Sequence, residues 1–315
     1  MDRPGDPQIP PPPAPTVEYC YRHPTEPTRV HCTRCGRPIC PECMIPAPVG
    51  HQCPECVQQA RREFRQGPGK RIAVRSVTAT KVFLVAILGV FVLEMVAAGA
   101  GSMGNGASSD RLLGLGALQP FLIADGDVWR LFTAMFLHQN LFHILFNAWA
   151  LWIFGTMVER DFGTPRFVAL FFVTGFLASA TSYAFGPDAA VGVGASGAIF
   201  GVFGAFVAYN YRRRHLALAA ANLRWATTLL LINVLFAFSF GRIDWRAHLG
   251  GFVAGVLAGF VAEGWGTRQQ RALVSTLGFV GLAAAGVALV LWRTAQLQAL
   301  PEFGRAVEFF RLLAG

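Results

Sequence analysis

Two polar residues, Ser196 and His248, stand near the start of apolar segments that are long enough to form membrane helices. Ser196 lies in the sequence GASG (194–197), and His248 lies in the sequence AHLGG (247–251). A polar group buried in hydrocarbon without a partner costs several kcal/mol, so each residue is expected to have one. We predict that they are partners of each other. A hydroxyl beside an imidazole is the smallest set of groups that can perform nucleophilic catalysis. Inside a membrane, such a pair predicts a protease that cuts other membrane proteins.

The small residues around this pair predict how the two segments meet. Glycines and alanines flank Ser196, and Gly251, Gly255 and Gly259 follow His248 at intervals of four residues, on one helix face. Small residues allow two helices to approach closely in lipid, so the glycine-faced helices are predicted to pack and to bring the serine to the histidine. The alternative is that the glycines serve packing alone and that Ser196 bonds its own backbone.

A second polar pair, His143 and Asn147, is spaced four residues apart and therefore shares a helix face. Each side chain can donate a hydrogen bond, and two donors aimed at one point suit a developing oxyanion. The alternative is a polar clamp between two helices. No acid completes a triad: Glu94 lies inside a span and is given no catalytic role, and Asp244 is interpreted as a loop residue. A Ser196–His248 dyad is the prediction.

The elements that must position these residues are apolar spans. The chain has 315 residues, of which 53% are hydrophobic and 14% are charged. Soluble domains carry about 25% charged residues, so most of this chain is expected to lie in a membrane. Spans of roughly the required ~20 residues are predicted at 82–100, 134–157, 166–185, 195–211, 225–241, 247–263 and 273–293. The Gly-rich segment 101–133 is expected to form short helices in the membrane interface.

Basic residues predict the orientation. The net charge is +9, and basic residues cluster before the first span and in alternate loops, at Arg212, Arg213, Arg214, Arg224, Arg268 and Arg271. The positive-inside rule then predicts a cytoplasmic N-terminus, a plasma-membrane location and an active site that opens to the outer face. Because this rule explains the positive charge, no nucleic-acid partner is expected. Residues 1–15 lack the apolar core of a signal peptide, so the first span is expected to act as the insertion signal.

All seven cysteines lie in the first 56 residues, in pairs with two-residue gaps that are typical of zinc ligands. Two Zn²⁺ ions with interleaved ligands are predicted, one held by Cys20, His23, Cys40 and Cys43, and the other by Cys32, Cys35, Cys53 and Cys56. His31 and His51 are alternative ligands. The basic linker places this module in the cytosol, where disulfides are rare; redox use of the cysteines is the alternative.

The cysteine module resembles B-box-type zinc fingers, except that the final Cys53 and Cys56 replace their paired histidines. Such a short segment needs metal in order to fold, so the predicted zinc is structural. No residue in the module is predicted to be catalytic. Its predicted role is regulation or binding of a cytosolic protein.

The motifs of the apolar part resemble those of the rhomboid intramembrane serine proteases. In chain order the resemblance rests on Trp129-Arg130, on HxxxN at His143 and Asn147, on GxSG at 194–197 and on AHxxGxxxG at 247–255. It implies an all-α polytopic membrane protein with a six-helix core and one further C-terminal transmembrane helix. It also implies that Ser196 is the nucleophile, that His248 is the general base, and that the Ser196 amide, His143 and Asn147 form the oxyanion hole. The substrates implied are transmembrane proteins within the lipid bilayer.

The resemblance extends to three further residues. It implies that Arg130 braces the first loop and that His138 matches a family histidine near the water-filled cavity. Phe200 stands where some relatives carry a tyrosine that stacks on the catalytic histidine.

The sequence thus predicts six segments. They are a disordered Pro-rich tail (1–18), a zinc-binding module (19–57), a basic linker (58–81), a six-helix protease core (82–263), a seventh transmembrane helix (264–293) and a C-terminal tail able to form an amphipathic helix (294–315). The runner-up function is an inactive relative that binds transmembrane segments without cutting them. A transporter would need more charged residues deep in the spans. A passive membrane anchor that is regulated by zinc would not explain the polar residues of the spans, Ser196, His248, His143 and Asn147.

Overall fold

The computed structural model describes residues 17–66, 78–98, 108–239, 243–264 and 266–315. The chain divides into two units, Met1–Arg75 and Ser76–Gly315. Residues 1–16 of the predicted disordered tail (1–18) lie outside the described residues, as do residues 67–77 of the predicted basic linker (58–81) and the end of the first predicted span at 99–100. The two ends of that predicted linker are helical, because residues 58–66 belong to the helix Pro54–Gln66 and residues 78–81 to the helix Thr78–Ala98.

The first unit is a small α/β module with a core of cysteines. Its elements are β1 (Glu18–Tyr19), β2 (Pro27–Thr28), a 3₁₀ turn (Pro41–Cys43), β3 (Ile45–Pro46), β4 (His51–Gln52) and helix α1 (Pro54–Gln66). β1 pairs antiparallel with β2, and β3 pairs antiparallel with β4. Six of the seven cysteines are buried together with Ile39. Because so little other apolar surface is buried, this unit needs another source of stability.

The regular elements of the second unit are helices among its described residues, apart from one isolated β-bridge between Leu118 and Gly192. Its helices are α2 (Thr78–Ala98), α3 (Ser109–Gly114), α4 (Pro120–Ala124), α5 (Arg130–Thr133), α6 (Leu141–Ala150), α7 (Thr156–Phe162), α8 (Thr164–Phe185), α9 (Ser196–Arg212), α10 (Ala217–Ser239), α11 (Trp245–Glu263), α12 (Arg268–Gln298) and α13 (Phe303–Ala314). A π-helical turn, Leu151–Gly155, joins α6 to α7 without a break.

Six spans among the described residues are long and apolar enough to cross a membrane: α2, α6 with α7, α8, α10, α11 and α12. Helix α9 has 17 residues, which corresponds to about 25 Å at ~1.5 Å per residue, so it is slightly shorter than the other spans. The prediction of an all-helical, multi-pass membrane protein is confirmed. The short helices α3, α4 and α5 occupy the predicted interfacial segment.

Helix α9 lies at the centre of the bundle. It packs along α11 and also contacts α8, α10 and α7, and its residues Val202, Ala205 and Phe206 are almost fully buried. On α10, by contrast, Leu231 is 64% exposed, and such apolar surface suits contact with lipid. The bundle therefore places the Ser196 helix inside a ring of lipid-facing helices.

The second predicted span, 134–157, is displaced in the structure. Its helix begins at Leu141 because the Asn140 side chain caps it, accepting a hydrogen bond from the His143 amide at 2.9 Å. At its other end it extends to Phe162 and includes the buried Glu159. That carboxylate accepts hydrogen bonds from the Ala79 and Thr80 amides at 2.9 and 2.8 Å. Glu159 thus satisfies amides in the first turn of α2, which a helix leaves without internal partners.

Candidate active site

Ser196 and His248 meet at one end of the helical bundle. Ser196 is the first residue of α9, and His248 is in the first turn of α11. The His248 Nε2 lies 2.8 Å from the Ser196 Oγ, which is hydrogen-bond distance. The Phe200 ring stacks on the imidazole with centroids 4.3 Å apart and an interplanar angle of 15°. The Phe200 ring therefore packs on the face of the His248 imidazole, and the imidazole Nε2 points at the Ser196 Oγ.

The glycines of α11 account for this approach. A Cβ at Gly251 would overlap the carbonyl oxygen of Gly197, and a Cβ at Gly255 would overlap that of Gly201. One turn later, a Cβ at Gly259 would lie 2.9 Å from the Ala205 Cα. The three glycines thus follow the backbone of α9 turn by turn. Any larger residue would force the two helices apart, and with them Ser196 and His248.

We expect Gly255→Ala to lower both the stability of the bundle and its proteolytic activity. The added methyl group must displace the backbone of α9, and overpacking of this kind costs about 1–3 kcal/mol or more. A displacement of about 1 Å at the reacting groups lowers the rate by roughly 10²-fold. Thermal unfolding and substrate cleavage measure the two effects. The matched control is Gly281→Ala in α12, where a Cβ would meet nothing within 4 Å; equal effects at both glycines would contradict this account.

The segment before Ser196 requires glycine at one position for two reasons. Gly194 has a φ of +126°, which is unfavourable for residues with a side chain. A Cβ there would also lie 2.7 Å from the His143 ring. The Gly194 amide donates to the Ala134 carbonyl at 2.8 Å. The segment is thereby fixed between the end of α5 and the His143 ring.

His143 and Asn147 share a face of α6, as predicted. A Cβ at Gly194 would lie 2.7 Å from the His143 Nε2 and 3.7 Å from the Ser196 Oγ, so the imidazole and the hydroxyl adjoin the same space beside Gly194. Asn147 is buried, and its Nδ2 donates to the His143 carbonyl at 2.9 Å. That bond occupies one of the two amide hydrogens and leaves the other for a second acceptor.

Asp244, interpreted from the sequence as a loop residue, has a more specific role. It is the N-cap of α11, and its Oδ1 accepts hydrogen bonds from the Arg246 and Ala247 amides at 3.2 and 3.1 Å. Its other carboxylate oxygen accepts a hydrogen bond from the Ser182 hydroxyl of α8. Asp244 therefore fixes the start of the helix that carries His248. In the sequence, the sign of this role was the position of Asp244, four residues before His248 at the start of an apolar segment.

A small cavity of about 50 Å³ opens beside Ser196. Its lining combines small residues with polar groups from α8 and the start of α11: Gly175, Ala178, Ser179, Ser182, Gly192, Gly194, Gly197 and Asp244 are among them. The cavity lies next to the serine hydroxyl, where a side chain of a bound substrate could enter.

Glu94 does not extend toward lipid or interfacial water. Its side chain is buried, and its two oxygens lie 3.1 and 3.2 Å from the His138 amide. The His138 ring is also buried, edge-on to the His143 ring with centroids 5.1 Å apart. Glu94 thus anchors the chain just before α6 and has no contact with the Ser196–His248 pair among those the structure records.

The first unit brings together the two predicted ligand sets. In one set, Cys20, His23, Cys40 and Cys43 have their ligand atoms within 4.8 Å of one another, and the other set, Cys32, Cys35, Cys53 and Cys56, meets the same limit. The His23 Nδ1 lies 3.1 Å from the Cys40 Sγ and 3.6 Å from the Cys43 Sγ. A tetrahedral zinc site with ~2.3 Å Zn–S bonds places its ligand atoms about 3.5–3.8 Å apart, so both sets fit a metal ion.

His31 and His51 lie outside the two ligand sets, and the seven cysteines are all free of disulfides. His31 forms an ion pair with Glu18, and His51 belongs to neither ligand set. The Cys35 and Cys53 sulfurs are 3.8 Å apart, far longer than the ~2.05 Å of a disulfide. Arg34 joins α1 to the second set through bonds to the Cys56 carbonyl and to Glu63, and its bond to Glu63 raises the pKa of Arg34.

The fold and site together define a polytopic helical membrane protein with a serine–histidine pair between two glycine-faced helices. A family model for the rhomboid domain matches residues 125–264. Rhomboid protease GluP of Bacillus subtilis (strain 168) is 36% identical over 184 residues, which cover 58% of this chain and 34% of GluP. Putative rhomboid protease YdcA of the same organism is 35% identical over 139 residues, which cover 44% of this chain and 69% of YdcA. This chain belongs to the rhomboid family.

The similarity extends to relatives in eukaryotes. Rhomboid-like protease 1 of Toxoplasma gondii is 35% identical over 157 residues, which cover 48% of this chain and 52% of that protein. The chain therefore spans about a third to two thirds of the length of these relatives. The cysteine module, α12 and α13 lie outside the residues that the rhomboid domain matches.

Proposed function

We propose that this protein is an intramembrane serine endopeptidase that cleaves transmembrane segments of other membrane proteins. The observation that carries the proposal is the 2.8 Å contact between the His248 Nε2 and the Ser196 Oγ. Relatives named as proteases, with 35–36% identity, support the same class of activity. The alternative is a relative that binds transmembrane segments without cutting them. The aligned hydroxyl and imidazole favour the protease, since binding alone does not need that geometry.

In the proposed reaction the Ser196 Oγ attacks the substrate's peptide carbonyl carbon while its proton passes to the His248 Nε2. The C–N bond then breaks as His248 returns that proton to the leaving amine, and an acyl-enzyme ester on Ser196 remains. Water attacks the ester while His248 takes its proton, and His248 then returns that proton to the Ser196 Oγ as the acyl C–O bond breaks and the second product leaves. Atoms and charges balance without any cofactor.

The negative charge on the carbonyl oxygen needs donors, and three groups are proposed to supply them. Ser196 is the first residue of α9, so its amide is among those that helical geometry leaves free, at the positive end of the helix dipole. The His143 imidazole borders Ser196, and the second Nδ2 hydrogen of Asn147 is available one turn further along α6. Each such donor contributes about 3–4 kcal/mol to stabilisation of the transition state.

The proposed substrate is a single-span membrane protein, cut near the outer end of its span. A substrate side chain next to the cleaved bond is proposed to enter the cavity beside Ser196. Helical backbone must open before it reaches a serine, so a segment weakened by glycine or proline is preferred. The basic residues of the loops support a plasma-membrane location, a cytoplasmic N-terminus and a site that opens outward.

For the first unit we propose two structural Zn²⁺ ions, one in each ligand set. Thiolate-rich, tetrahedral sets of this kind select zinc over harder divalent cations. Each ion would cross-link distant parts of the fold formed by residues 17–66, and neither would take part in the cleavage reaction. Binding of a cytosolic protein by this unit stays a prediction from the sequence.

The test of the proposed function is cleavage of a single-span fusion protein in proteoliposomes, with the cut site mapped by mass spectrometry. A fluorophosphonate probe that reacts with activated serines should label Ser196 in the same preparation. Cleavage within or near the span, together with labelling at Ser196, is the expected result. Capture of the fusion protein without cleavage or labelling would instead favour the binding-only relative.

A further inference from the structure

The helices that follow the rhomboid-matched region fold back onto the short helices α3 and α4, which belong to the first loop region, residues 108–133. Helix α12 runs beside α8, where the Tyr183 hydroxyl and the Thr294 Oγ1 are 2.8 Å apart. At its end, the Gln298 Nε2 donates to the Ala124 carbonyl of α4 at 2.8 Å. The chain then turns, and α13 packs on α3 and α4. The C-terminal part of the chain is thus bound to the first loop region at two successive elements.

Helix α13 buries one face against these helices. The Phe310 side chain is 8% exposed, and its ring stacks on Phe121 of α4 with centroids 6.0 Å apart. Val307 is buried beside it. A Cβ at Gly114, the last residue of α3, would lie 2.7 Å from the Ala314 carbonyl oxygen, so the two backbones touch. The neighbouring Phe309, in contrast, is 56% exposed. Helix α13 therefore packs on α3 and α4 through the face that carries Val307 and Phe310.

A charged network continues from α13 into the first loop region. The Arg311 Nε and Nη2 donate to the Asp125 Oδ2 at 3.1 and 2.6 Å, and Nη2 lies 3.9 Å from the Asp127 Oδ1. The other oxygen of Asp127 accepts from the Arg130 Nε at 3.0 Å. Arg130 is buried, and its Nη1 donates to the Leu113 and Ala117 carbonyls at 2.7 and 3.1 Å. Arg130 thus joins the start of α5 to the end of α3.

The same region holds the segment that leads to Ser196. Leu118 and Gly192 form a two-way backbone pair, with both N···O distances at 2.9 Å. Two residues later, the Gly194 amide is bound to the Ala134 carbonyl, just beyond α5. Since Gly194 is followed by Ala195 and Ser196, a shift of α3, α4 or α5 moves the backbone that sets the position of the nucleophile.

We propose that α13 is a positioning element of the active site, with Phe310 and Arg311 as its positioning residues. Through α3, α4 and the Leu118–Gly192 pair it holds residues 192–194 in the conformation that aligns Ser196 with His248. The inference rests on the proposed protease function for its kinetic consequence. Its structural consequence, order in residues 192–194, is independent of any activity.

The kinetic test compares Phe310→Ala with Leu312→Ala, which removes a side chain of the same helix that is 77% exposed. Turnover of the single-span substrate is expressed per amount of folded protein, measured by gel filtration, so that loss of folded protein does not count. We expect this turnover to fall at least about tenfold in Phe310→Ala, because small displacements of reacting groups are costly, and to stay within about twofold of native in Leu312→Ala. Unchanged turnover in Phe310→Ala would overturn the proposal.

The contribution of Arg311 is tested by charge reversal. Arg311→Ala is compared with Arg305→Ala, an exposed arginine of the same helix. Because Arg311 is itself half exposed, we expect a smaller loss of only a few-fold. Exchange of the charges, Asp125→Arg with Arg311→Asp, should recover part of the turnover that either single reversal loses. A lack of recovery would remove Arg311 from the proposal.

Hydrogen–deuterium exchange separates this proposal from the protease proposal. In Phe310→Ala the amides of 108–133 and of 192–194 should exchange faster than in native protein or in Leu312→Ala, whether or not any substrate is cut. Faster exchange confined to α13 would show that the helix does not control the Ser196 segment and would overturn the inference. A complete lack of cleavage by the native protein would count against the protease alone.

Discussion

Alanine at His248 is expected to lower the rate of substrate cleavage by a factor on the order of 10⁴–10⁶, and alanine at Ser196 should have a similar effect. The imidazole Nε2 is 2.8 Å from the serine Oγ and is the base that the serine needs for attack. Without either partner, only the oxyanion donors and substrate binding remain, which corresponds to a loss of about 5–8 kcal/mol of transition-state stabilisation. Because the two residues act as a unit, the double variant should be no slower than the slower single variant.

The measurement is cleavage of the single-span substrate in proteoliposomes at equal amounts of folded protein. His215→Ala is the matched control for the histidine, because His215 is exposed beyond the far end of α9. It should cleave at the native rate. A residual rate in Ser196→Ala within tenfold of native would contradict the proposed nucleophile, and additive losses in the double variant would contradict a dyad.

The pairing of Ser196 with His248 could be predicted because its determinants are local. Each residue lies at the start of its own helix, and glycines every four residues mark the face on which each helix is approached. A repeat of small residues specifies both the contacting face and the short interaxial distance. Once the faces of α9 and α11 are known, their parallel course brings the two helix starts to the same end of the bundle.

The contacts that hold this pair in place could not be predicted, because they join residues far apart in the chain. The Asp244 carboxylate accepts a hydrogen bond from Ser182, which joins the start of α11 to α8. The Glu94 carboxylate accepts one from the His138 amide, which joins α2 to the segment before α6. Hydropathy likewise placed the start of the second span at residue 134, since the segment before Leu141 is as apolar as a helix but is folded into turns. The periodicity of a sequence shows which face of a helix is buried. It does not show which distant segment a side chain contacts.

In the cysteine unit, the spacing of the ligands along the chain was enough to predict the two ligand sets. Ligand pairs with two-residue gaps allow two sulfurs to reach one ion, and their alternation along the chain predicts interleaved sites. The structure brings both predicted sets within metal-binding distance. The choice between His23 and the spare histidines also followed from spacing, since His23 has the same gap from Cys20 that separates the cysteine pairs.

Removal of metal is expected to unfold the first unit and to leave the helical unit folded. The buried core of this unit is composed of six cysteines and Ile39, so little apolar surface would hold it together without ions. Structural zinc contributes about 10–16 kcal/mol to folding in small modules of this kind. Metal analysis of the purified full-length protein should give two zinc ions per chain, and a strong chelator should make residues 17–66 sensitive to protease while α2–α13 stay protected.

Single-residue variants assign the two ions to their ligand sets. Cys40→Ser should remove the ion of the first set, and Cys53→Ser that of the second, each lowering the zinc content toward one per chain. His51→Ala is the matched control, because His51 is close in sequence to Cys53 but belongs to neither set, and it should retain both ions. Since the two sets are interleaved along one short chain, loss of either ion should also weaken the other site. A unit that resists protease equally well with and without chelator would show that cysteine packing, and not metal, stabilises it.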